Sequence, residues 1–291
     1  MPGVDQDERR IVSAINSGKL NSVATKVELD QLRDAAKTTL VTGFYDDLAP
    51  LYHLVHQDWE ASIARQGGQL GGLIASHWPG RRKLLDVTCG IGTQAIALAS
   101  RGFDVTASDL SAKEIARARQ EAGKRGLSIP FSVCDVRSVH AHHGTGFDVV
   151  LSCDNSLAHL LTDDELLLAL GQMLACLAPG GGCIVTVRDY ALEERGANLV
   201  KPYGVRIEDG KRYLLFQIWD FDGDGEHYDL TFYFVEEDLS SHAVTTHAMR
   251  SRCYAISTDK LMDLMRQAGF ADVRRVDGVF YQPVLTGTRA A

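Results

Sequence analysis

The chain has 291 residues, of which 45% are hydrophobic, and carries a formal net charge of −8 at pH 7. This length and apolar content suffice for one catalytic core with added segments. The net negative charge supplies no strong positive field for a phosphate backbone. We therefore expect a small-molecule partner and no nucleic acid.

The cysteine pattern and the hydropathy of the chain indicate where in the cell the protein is expected. The six cysteines lie in apolar segments without a CxxC pair, so they are expected to be reduced and mostly buried. The N-terminus shows no signal-peptide pattern, and no apolar run approaches the roughly 18 residues of a membrane span. These features predict a cytoplasmic protein with no membrane partner, and they leave a homo-oligomer open.

The first 78 residues combine two segments without a strand pattern. Residues 1–40 are charged and polar with loose helical spacing, and an aromatic, histidine-rich stretch follows from Phe44 to His77. The second stretch predicts an amphipathic helix with its aromatic side against the core. Residues 1–78 are therefore assigned to an N-terminal helical arm and lid.

Short apolar runs alternate with helical segments over residues 79–190. The runs KLLDVTCG, FDVTASDL, PFSVCDV, FDVVLSCD and GCIVTVRDY predict strands. Two helix starts carry capping-box spacings, Ser111 with Glu114 and Thr162 with Glu165. This alternation predicts an α/β fold, a doubly wound and mostly parallel seven-stranded sheet with helices on both faces.

After Tyr190 the pattern becomes antiparallel. Four apolar-alternating runs separated by turns such as Asp209-Gly210 predict a small sheet over residues 191–256 that covers the site. Residues 257–291 predict a final helix and two strands that complete the core sheet. The acidic turn at residues 220–225 and the histidines of residues 140–143 are interpreted as a hairpin and a polar loop, so no metal site is expected.

The strongest chemical signal is an acid–glycine–acid arrangement. The first strand ends in Asp86, followed by Gly90 and Gly92, and the second strand ends in Asp109. A nucleotide-bearing cofactor needs glycines where the backbone approaches it and an acid about 20 residues further on for the ribose hydroxyls. A dinucleotide fits less well, because Asp86 would repel a pyrophosphate but could hold the ammonium of S-adenosylmethionine (SAM).

On these residues the chain resembles the class I SAM-dependent methyltransferases, in which D-x-x-C-G-x-G forms the cofactor loop. The resemblance runs from about Tyr45 to the C-terminus and implies SAM as cofactor and a Rossmann-like methyltransferase fold. It implies that Asp86, Gly90 and Gly92 approach the methionine moiety. The other implied cofactor contacts are Asp109 at the ribose, Leu110 at the adenine, Asp135 at the exocyclic amine, and Cys153 and Asp154 at the end of the fourth strand.

Two further segments narrow the resemblance. N-S-L-A-H-L at residues 155–160 and V-R-D-Y at residues 187–190 are similar to segments of glycine N-methyltransferase-like enzymes, which also insert an antiparallel sheet after the fifth strand. In that family an N-terminal tyrosine and a downstream arginine close over SAM, which maps onto Tyr45 and Arg65. Asp189 stands where the family commonly has asparagine, which argues against glycine itself as the substrate.

Methyl transfer from a sulfonium is an in-line displacement, so the acceptor must be aligned, water excluded and a proton removed. The candidate bases are His159, His56 and Asp189, and a structural helix-start role for His159 stays open beside the catalytic one. Tyr52 would supply an aromatic wall. Arg188 could pair with a substrate carboxylate, or be a structural partner at a strand end.

Together these residues predict SAM-dependent methylation of an amine nitrogen in an amino-acid-like or biogenic-amine substrate bound beneath the inserted sheet. Two alternatives stay open. One is carbon methylation of an electron-rich ring such as an indole, and the other is a SAM-sensing module without turnover.

Overall fold

The structure is a computed structural model that describes residues 38–291. Contacts divide the chain into two units, residues 1–43 and residues 44–291. The second unit contains all the elements discussed below. The helical arm predicted over residues 1–40 lies almost entirely outside the described residues.

A seven-stranded sheet forms the core of the second unit. Its strands are β1 (Lys83–Asp86), β2 (Asp104–Asp109), β3 (Phe131–Val133), β4 (Phe147–Ser152), β5 (Leu177–Thr186), β10 (Ala271–Val276) and β11 (Val284–Thr288), in the order β10-β11-β5-β4-β1-β2-β3. Strands β1 to β5 are parallel, and β11 is antiparallel to β5. The predicted fold class is confirmed. The strand order reverses at β1 and β4, where open α/β sheets bind ligands.

Helices cover this sheet: α1 (Trp59–His77), α2 (Thr93–Ala99), α3 (Ala112–Lys124), α4 (Val139–His143), α5 (Asp163–Cys176) and α6 (Thr258–Gln267). Four of them begin at a side chain that accepts a hydrogen bond from the backbone N–H three residues on. These caps are Asp58, Ser111, Thr162 and Ser257. Each satisfies one amide that the helix itself leaves unpaired.

The two predicted capping boxes differ. At α5, Glu165 turns back and its Oε2 accepts from the backbone N–H of Leu161 at 2.9 Å. At α3, Ser111 caps the helix, but its own N–H donates to Asp109 and neither oxygen of Glu114 has a hydrogen-bond partner. The box at α3 is therefore only half formed.

The aromatic stretch does not form the single helix that its spacing predicts. Helical residues, described from residue 38, end at residue 48 before Pro50. Tyr52–Val55 then form a 3-10 turn, and α1 begins only at Trp59. Proline lacks an N–H donor and disfavours helical geometry in the residue before it, which explains the break. The prediction of an aromatic side packed on the core holds for Phe44 and Trp59, which are buried.

The insertion after β5 is a four-stranded antiparallel sheet, as predicted. Its strands are β6 (Leu199–Glu208), β7 (Lys211–Phe221), β8 (His227–Asp238) and β9 (Val244–Tyr254), paired in chain order. Asp209 and Gly210 turn the first hairpin with φ values of 47° and 75°, the left-handed geometry that suits a two-residue hairpin loop. One face buries Leu215, Trp219 and Phe232.

The C-terminal end of α1 is fixed to the sheet. The indole of Trp78, the residue after α1, packs so closely on Gly182 of β5 that a Cβ at that glycine would overlap the ring. Its Nε1 also donates to Thr288 Oγ1 at 3.3 Å. Helix α1 is therefore anchored at this end by both packing and a hydrogen bond.

All six cysteines are buried with free thiols, as predicted. Burial raises the pKa of Cys253 to about 12, so its thiol stays protonated and unreactive at neutral pH. Among residues 38–291, no helix is both long and apolar enough to cross a membrane.

Candidate active site

The carboxyl ends of β1 and β2 bring the predicted acid–glycine–acid set together. Asp109 Oδ2 accepts from Gly90 N at 2.9 Å, and its Oδ1 accepts from Ser111 N at 2.9 Å. Asp109 thus joins the glycine loop to the start of α3. Asp86 is fully buried, and its Oδ1 accepts from Thr88 N at 3.3 Å while Oδ2 has no partner.

The geometry of this loop fits a cofactor that carries an ammonium group. Gly90 and Gly92 have φ values of 53° and 93°, which L side chains rarely adopt. A Cβ at Gly92 would lie 3.1 Å from a methyl of Ile96, so the loop also packs too closely for a side chain. The unpartnered Asp86 oxygen is a buried acceptor of the kind that an ammonium would satisfy.

Burial dominates the electrostatics of these acids. It raises the pKa of Asp86 to about 8, against the opposing effect of the Thr88 N–H. It also raises the pKa of Asp109, although the Ser111 and Gly90 amides oppose it. A cation placed beside either carboxylate would favour its charged form.

The remaining predicted cofactor residues differ in their burial and in their hydrogen-bond partners. Leu110 is half-buried beside Asp109, and Cys153 is buried just after β4. The carboxylate of Asp135 is already paired with Arg137, whose backbone N donates to Oδ1 at 2.8 Å and whose Nη2 donates to Oδ2 at 2.7 Å. An adenine amine would therefore have to share Asp135 with this arginine.

A cavity of about 560 Å³ lies between residues 49–58, here called the lid turn, the end of β4 and the buried face of the inserted sheet. Its wall includes four of the predicted catalytic residues, Tyr52, His56, His159 and Arg188. It also includes three residues that were predicted to contact the cofactor, Tyr45, Arg65 and Asp154. Asp189 is not among them: its Oδ2 pairs with Arg275 Nη2 at 2.7 Å, so the structure does not bring this candidate base to the cavity.

His159 is held on both ring nitrogens. Its Nε2 lies 2.9 Å from the hydroxyl of Tyr45, and its Nδ1 lies 3.1 Å from Ser251 Oγ. Burial lowers the pKa of His159 to about 4. The ring is therefore neutral at physiological pH, and burial raises the pKa of Tyr45 well above its usual range, so the hydroxyl keeps its proton in this contact.

His56 is also neutral, for a partly different reason. Burial lowers its pKa to about 4, and the neighbouring cations Arg65 and Arg206 add to the shift. Its Nδ1 lies 3.2 Å from Ser62 Oγ, which also accepts from Arg65 Nη2 at 2.9 Å. His56 and Arg65 thus share one serine at the start of α1.

Opposite charges meet at the ends of β4 and β5. The Arg188 guanidinium lies over the ring of Trp219, 4.9 Å from its centroid, and its buried Nε has no partner. Burial raises the pKa of Asp154 to about 6, and Gln94 and Arg188 limit the rise. Asp154 and Asn155 both have left-handed backbone, with φ values of 64° and 67°, a strained geometry that is common at functional sites.

The sequence did not reveal two residues that hold parts of this wall in place. Ser251 holds His159, and Arg206 donates from Nε to the carbonyl of His56 at 3.0 Å, tying β6 to the lid turn. The alternation of β9 carries a signal for Ser251, because Met249 and Cys253 on either side of it face inward. Arg206 carries no such signal, since β6 is largely exposed.

One acidic group lies away from the cavity. Asp222, Asp224 and His227 each place a potential ligand atom within 4.8 Å of the others in the turn before β8. The two aspartates are exposed, and Arg252 already forms ion pairs with Asp222 and Asp229. The turn is therefore described as a hairpin, as its sequence suggests.

Comparison with known proteins shows that the chain is similar to methyltransferases. Residues 84–181 match the family model of a methyltransferase domain. The glycine/sarcosine N-methyltransferase of Parasynechococcus marenigrum (strain WH8102) is 32% identical over 144 residues, which cover 50% of this chain and 50% of that protein. The chain spans about half the length of the curated relatives that it matches.

Two solved structures share the fold over a longer range. DesVI of Streptomyces venezuelae superposes with a TM-score of 0.70 at 21% identity, covering 84% of this chain and 98% of that one. CalS10, an amino pentose methyltransferase from Micromonospora echinaspora solved with SAM bound, superposes with a TM-score of 0.68 at 20% identity, covering 79% and 92%.

The doubly wound sheet, the acid–glycine–acid loop at its switch point and the inserted sheet above it define a Rossmann-like methyltransferase fold. Residues 84–181 thus match a methyltransferase domain, and the fold around them is shared with structures that include a methyltransferase solved with SAM bound.

Proposed function

We propose that this protein transfers the methyl group of SAM to the amine nitrogen of an amino-acid-like acceptor bound in the 560 Å³ cavity. The observation that carries the proposal is the presence of Arg188 and Asp154 on the wall of one cavity. A zwitterionic amino acid offers the complementary pair of charges, a carboxylate for the arginine and an ammonium for the aspartate.

Arg188 is suited to hold a carboxylate. Its Nη1 donates to Glu193 at 3.1 Å, and its buried Nε–H has no hydrogen-bond partner among the described residues. The ring of Trp219 supports the guanidinium, and Asn155 Oδ1 accepts from the Arg188 backbone N–H at 3.0 Å. These contacts fix the planar guanidinium before the acceptor arrives, which favours tight recognition.

The bound cofactor supplies an electrophilic methyl group on a sulfonium. The acceptor nitrogen must present a free lone pair, so an ammonium has to lose a proton before attack. Asp154 is a better proton acceptor than His159, because its pKa is about 6 whereas that of His159 is about 4. We assign the proton to Asp154 and the orientation of the nitrogen to the Tyr45–His159 pair.

The size of the cavity bears on the acceptor. Pockets of about 300–1,000 Å³ typically enclose drug-sized ligands, and 560 Å³ falls within that range. Aromatic rings form much of the wall, including Tyr52, Tyr203, Trp219, Tyr228 and Phe232. Both features favour an acceptor with a large apolar or aromatic side chain over glycine.

The same aromatic wall favours a second candidate, carbon methylation of an electron-rich ring stacked in the cavity. A SAM-sensing module without turnover is less well supported, because it gives no role to the pair of opposite charges, Arg188 and Asp154, on the cavity wall.

The test uses SAM with a ¹³C-labelled methyl group and amino acids matched to their decarboxylated amines, such as tryptophan with tryptamine. We expect S-adenosylhomocysteine (SAH) and an N–CH₃ product, with the amino acid preferred over its amine. Arg188→Gln should raise KM for the amino acid at least tenfold and leave KM for the amine unchanged. Arg195→Gln is the matched control, because Arg195 stacks on Phe221 outside the cavity wall.

Other outcomes separate the alternatives. A C–CH₃ signal would replace amine methylation by ring methylation. Binding of SAM without SAH formation across amino acids, amines and indoles would favour the sensing module.

A further inference from the structure

One buried carboxyl beside the cofactor loop is not used by the steps above. Glu114, one turn into α3, is fully buried, and neither of its oxygens has a hydrogen-bond partner among the described residues. An unpartnered buried polar group destabilises the folded protein, so native structures rarely keep one without a reason. Such a group points to a ligand.

The half-formed capping box explains where Glu114 points. Because the Ser111 N–H donates to Asp109, Glu114 is free of the reciprocal bond that a capping box requires. Its side chain lies instead under the glycine loop, where Oε2 is 3.2 Å from the position that a Cβ on Gly90 would occupy. Tyr52 closes the same spot, with Cε1 at 3.4 Å.

Asp109 has fewer free hydrogen-bond acceptors than its position at the end of β2 suggests. Each of its oxygens already accepts one backbone amide, from Gly90 and from Ser111. A ribose brings two hydroxyl donors to this end of the sheet. Glu114 lies beside Asp109, and neither of its oxygens has a hydrogen-bond partner within the described part of the chain. It can therefore bind a ribose hydroxyl with both oxygens, whereas the oxygens of Asp109 already bind backbone amides of the loop.

We propose that Glu114 is a cofactor-binding residue that hydrogen-bonds a ribose hydroxyl of SAM, while Asp109 chiefly holds the glycine loop in place. This assignment rests on the proposed use of SAM. Burial, reinforced by the nearby Asp109 and Asp46 carboxylates, raises the pKa of Glu114 well above its usual range. This shift favours the protonated carboxyl, which can donate to a hydroxyl as well as accept from one.

The test compares Glu114→Met, which keeps the length of the side chain but removes its polar atoms, with Glu114→Gln, which keeps them. Glu121→Gln is the matched control on the same helix, because Glu121 is also buried but pairs with Lys124 and Arg125 two turns further along α3. Calorimetry measures Kd for SAH and for its 2′-deoxy and 3′-deoxy analogues. Thermal unfolding measures the stability of each free protein.

We expect Glu114→Met to weaken SAH binding at least tenfold, and Glu114→Gln by no more than about threefold. For one of the two deoxy analogues, Kd should be the same in Glu114→Met and in the wild type, because that analogue lacks the hydroxyl that Glu114 contacts. Free Glu114→Met should also unfold at a higher temperature than the wild type, since the unpartnered carboxyl is gone. This combination separates a ligand contact from a structural role.

Unchanged SAH affinity in Glu114→Met would overturn the proposal, and so would an equal loss for SAH and both deoxy analogues. If Glu114→Met does not fold, Glu114→Ala carries the same comparison. Failure of the wild type to bind SAM or SAH would instead contradict the proposed function, so the two failures are distinguishable.

Discussion

The hydroxyl of Tyr45 and Nε2 of His159 are 2.9 Å apart although the residues are separated by 114 positions. Their rings meet edge to face, with centroids 5.2 Å apart. This pair joins the segment before the lid turn to the segment after β4, and both residues lie on the wall of the 560 Å³ cavity. Under the proposed function, Tyr45 is therefore placed to contact the acceptor as well as SAM.

Replacing Tyr45 by phenylalanine removes one hydroxyl and leaves the buried His159 Nε2 without its partner. We expect the free energy of unfolding to fall by about 1–3 kcal/mol and kcat to fall at least tenfold. Urea unfolding and steady-state kinetics measure the two effects. Tyr233→Phe on β8 serves as control, because Tyr233 is only half-buried and stacks on Phe216. A loss in stability with full kcat would show that the pair is structural only.

The depressed pKa of His159 predicts acid sensitivity. The unfolded chain binds a proton on this ring below about pH 6.5, whereas the folded protein does so only below about pH 4. The contribution of His159 to the free energy of unfolding is therefore largest above pH 6.5. It falls by about 3 kcal/mol as the pH decreases toward 4. Denaturant unfolding from pH 7 to pH 4 should show a shallower decline in His159→Gln than in the wild type. Identical slopes would contradict the assignment.

The raised pKa of Asp154 predicts how kcat/KM falls at low pH. Only its carboxylate can hold and deprotonate the acceptor ammonium, and burial raises its pKa to about 6. We therefore expect kcat/KM to fall about tenfold per pH unit below pH 6. Asp154→Asn should lower kcat/KM and remove that fall at low pH. Asp163→Asn, at the exposed start of α5, is the control.

Asp86 predicts a pH-dependent affinity for SAH. Its folded-state pKa of about 8 lies above the unfolded value of 3.8, so the free protein loses stability as pH rises between about 4 and 8. The ammonium of SAH binds the carboxylate form, so affinity should rise with pH up to about 8. Asp86→Asn should flatten both dependences and weaken binding. The analogue 5′-deoxy-5′-methylthioadenosine, which lacks the amino-acid part, should show no such rise.

Arg206 predicts a specific effect on the lid turn. It donates to the carbonyls of His56 and Val55 at 3.0 and 3.3 Å, and these bonds link β6 to the turn. Arg206→Ala should speed amide hydrogen exchange in residues 51–58 and raise KM for the acceptor several-fold, with little change in melting temperature. Arg212→Ala on β7 removes only an exposed ion pair to Glu237 and should do neither.

Much of the fold could be predicted because local patterns and global packing agree. Strand alternation in the insertion and the helix caps at Ser111 and Thr162 follow from short-range chemistry. The break at Pro50 could also have been predicted from its neighbour effect, but the aromatic periodicity on both sides obscured it.

The site was less predictable because its key contacts are long-range. The motif predicts that Asp109 and Gly90 meet, since both lie at carboxyl ends of neighbouring strands. No local rule indicates that Arg275 would take Asp189 out of the cavity, or that Ser251 would reach His159. Those contacts depend on how the C-terminal strands and the inserted sheet pack over the core.

The anchoring of Trp78 on Gly182 has a kinetic consequence. With its far end held in the sheet by packing and by Thr288, α1 cannot swing as a rigid cover. Among the described residues, passage of small molecules into the cavity is then expected to involve rearrangement of the lid turn, residues 49–58, rather than of α1. Segments of this length rearrange in nanoseconds to microseconds, so we expect ligand exchange to be fast compared with turnover.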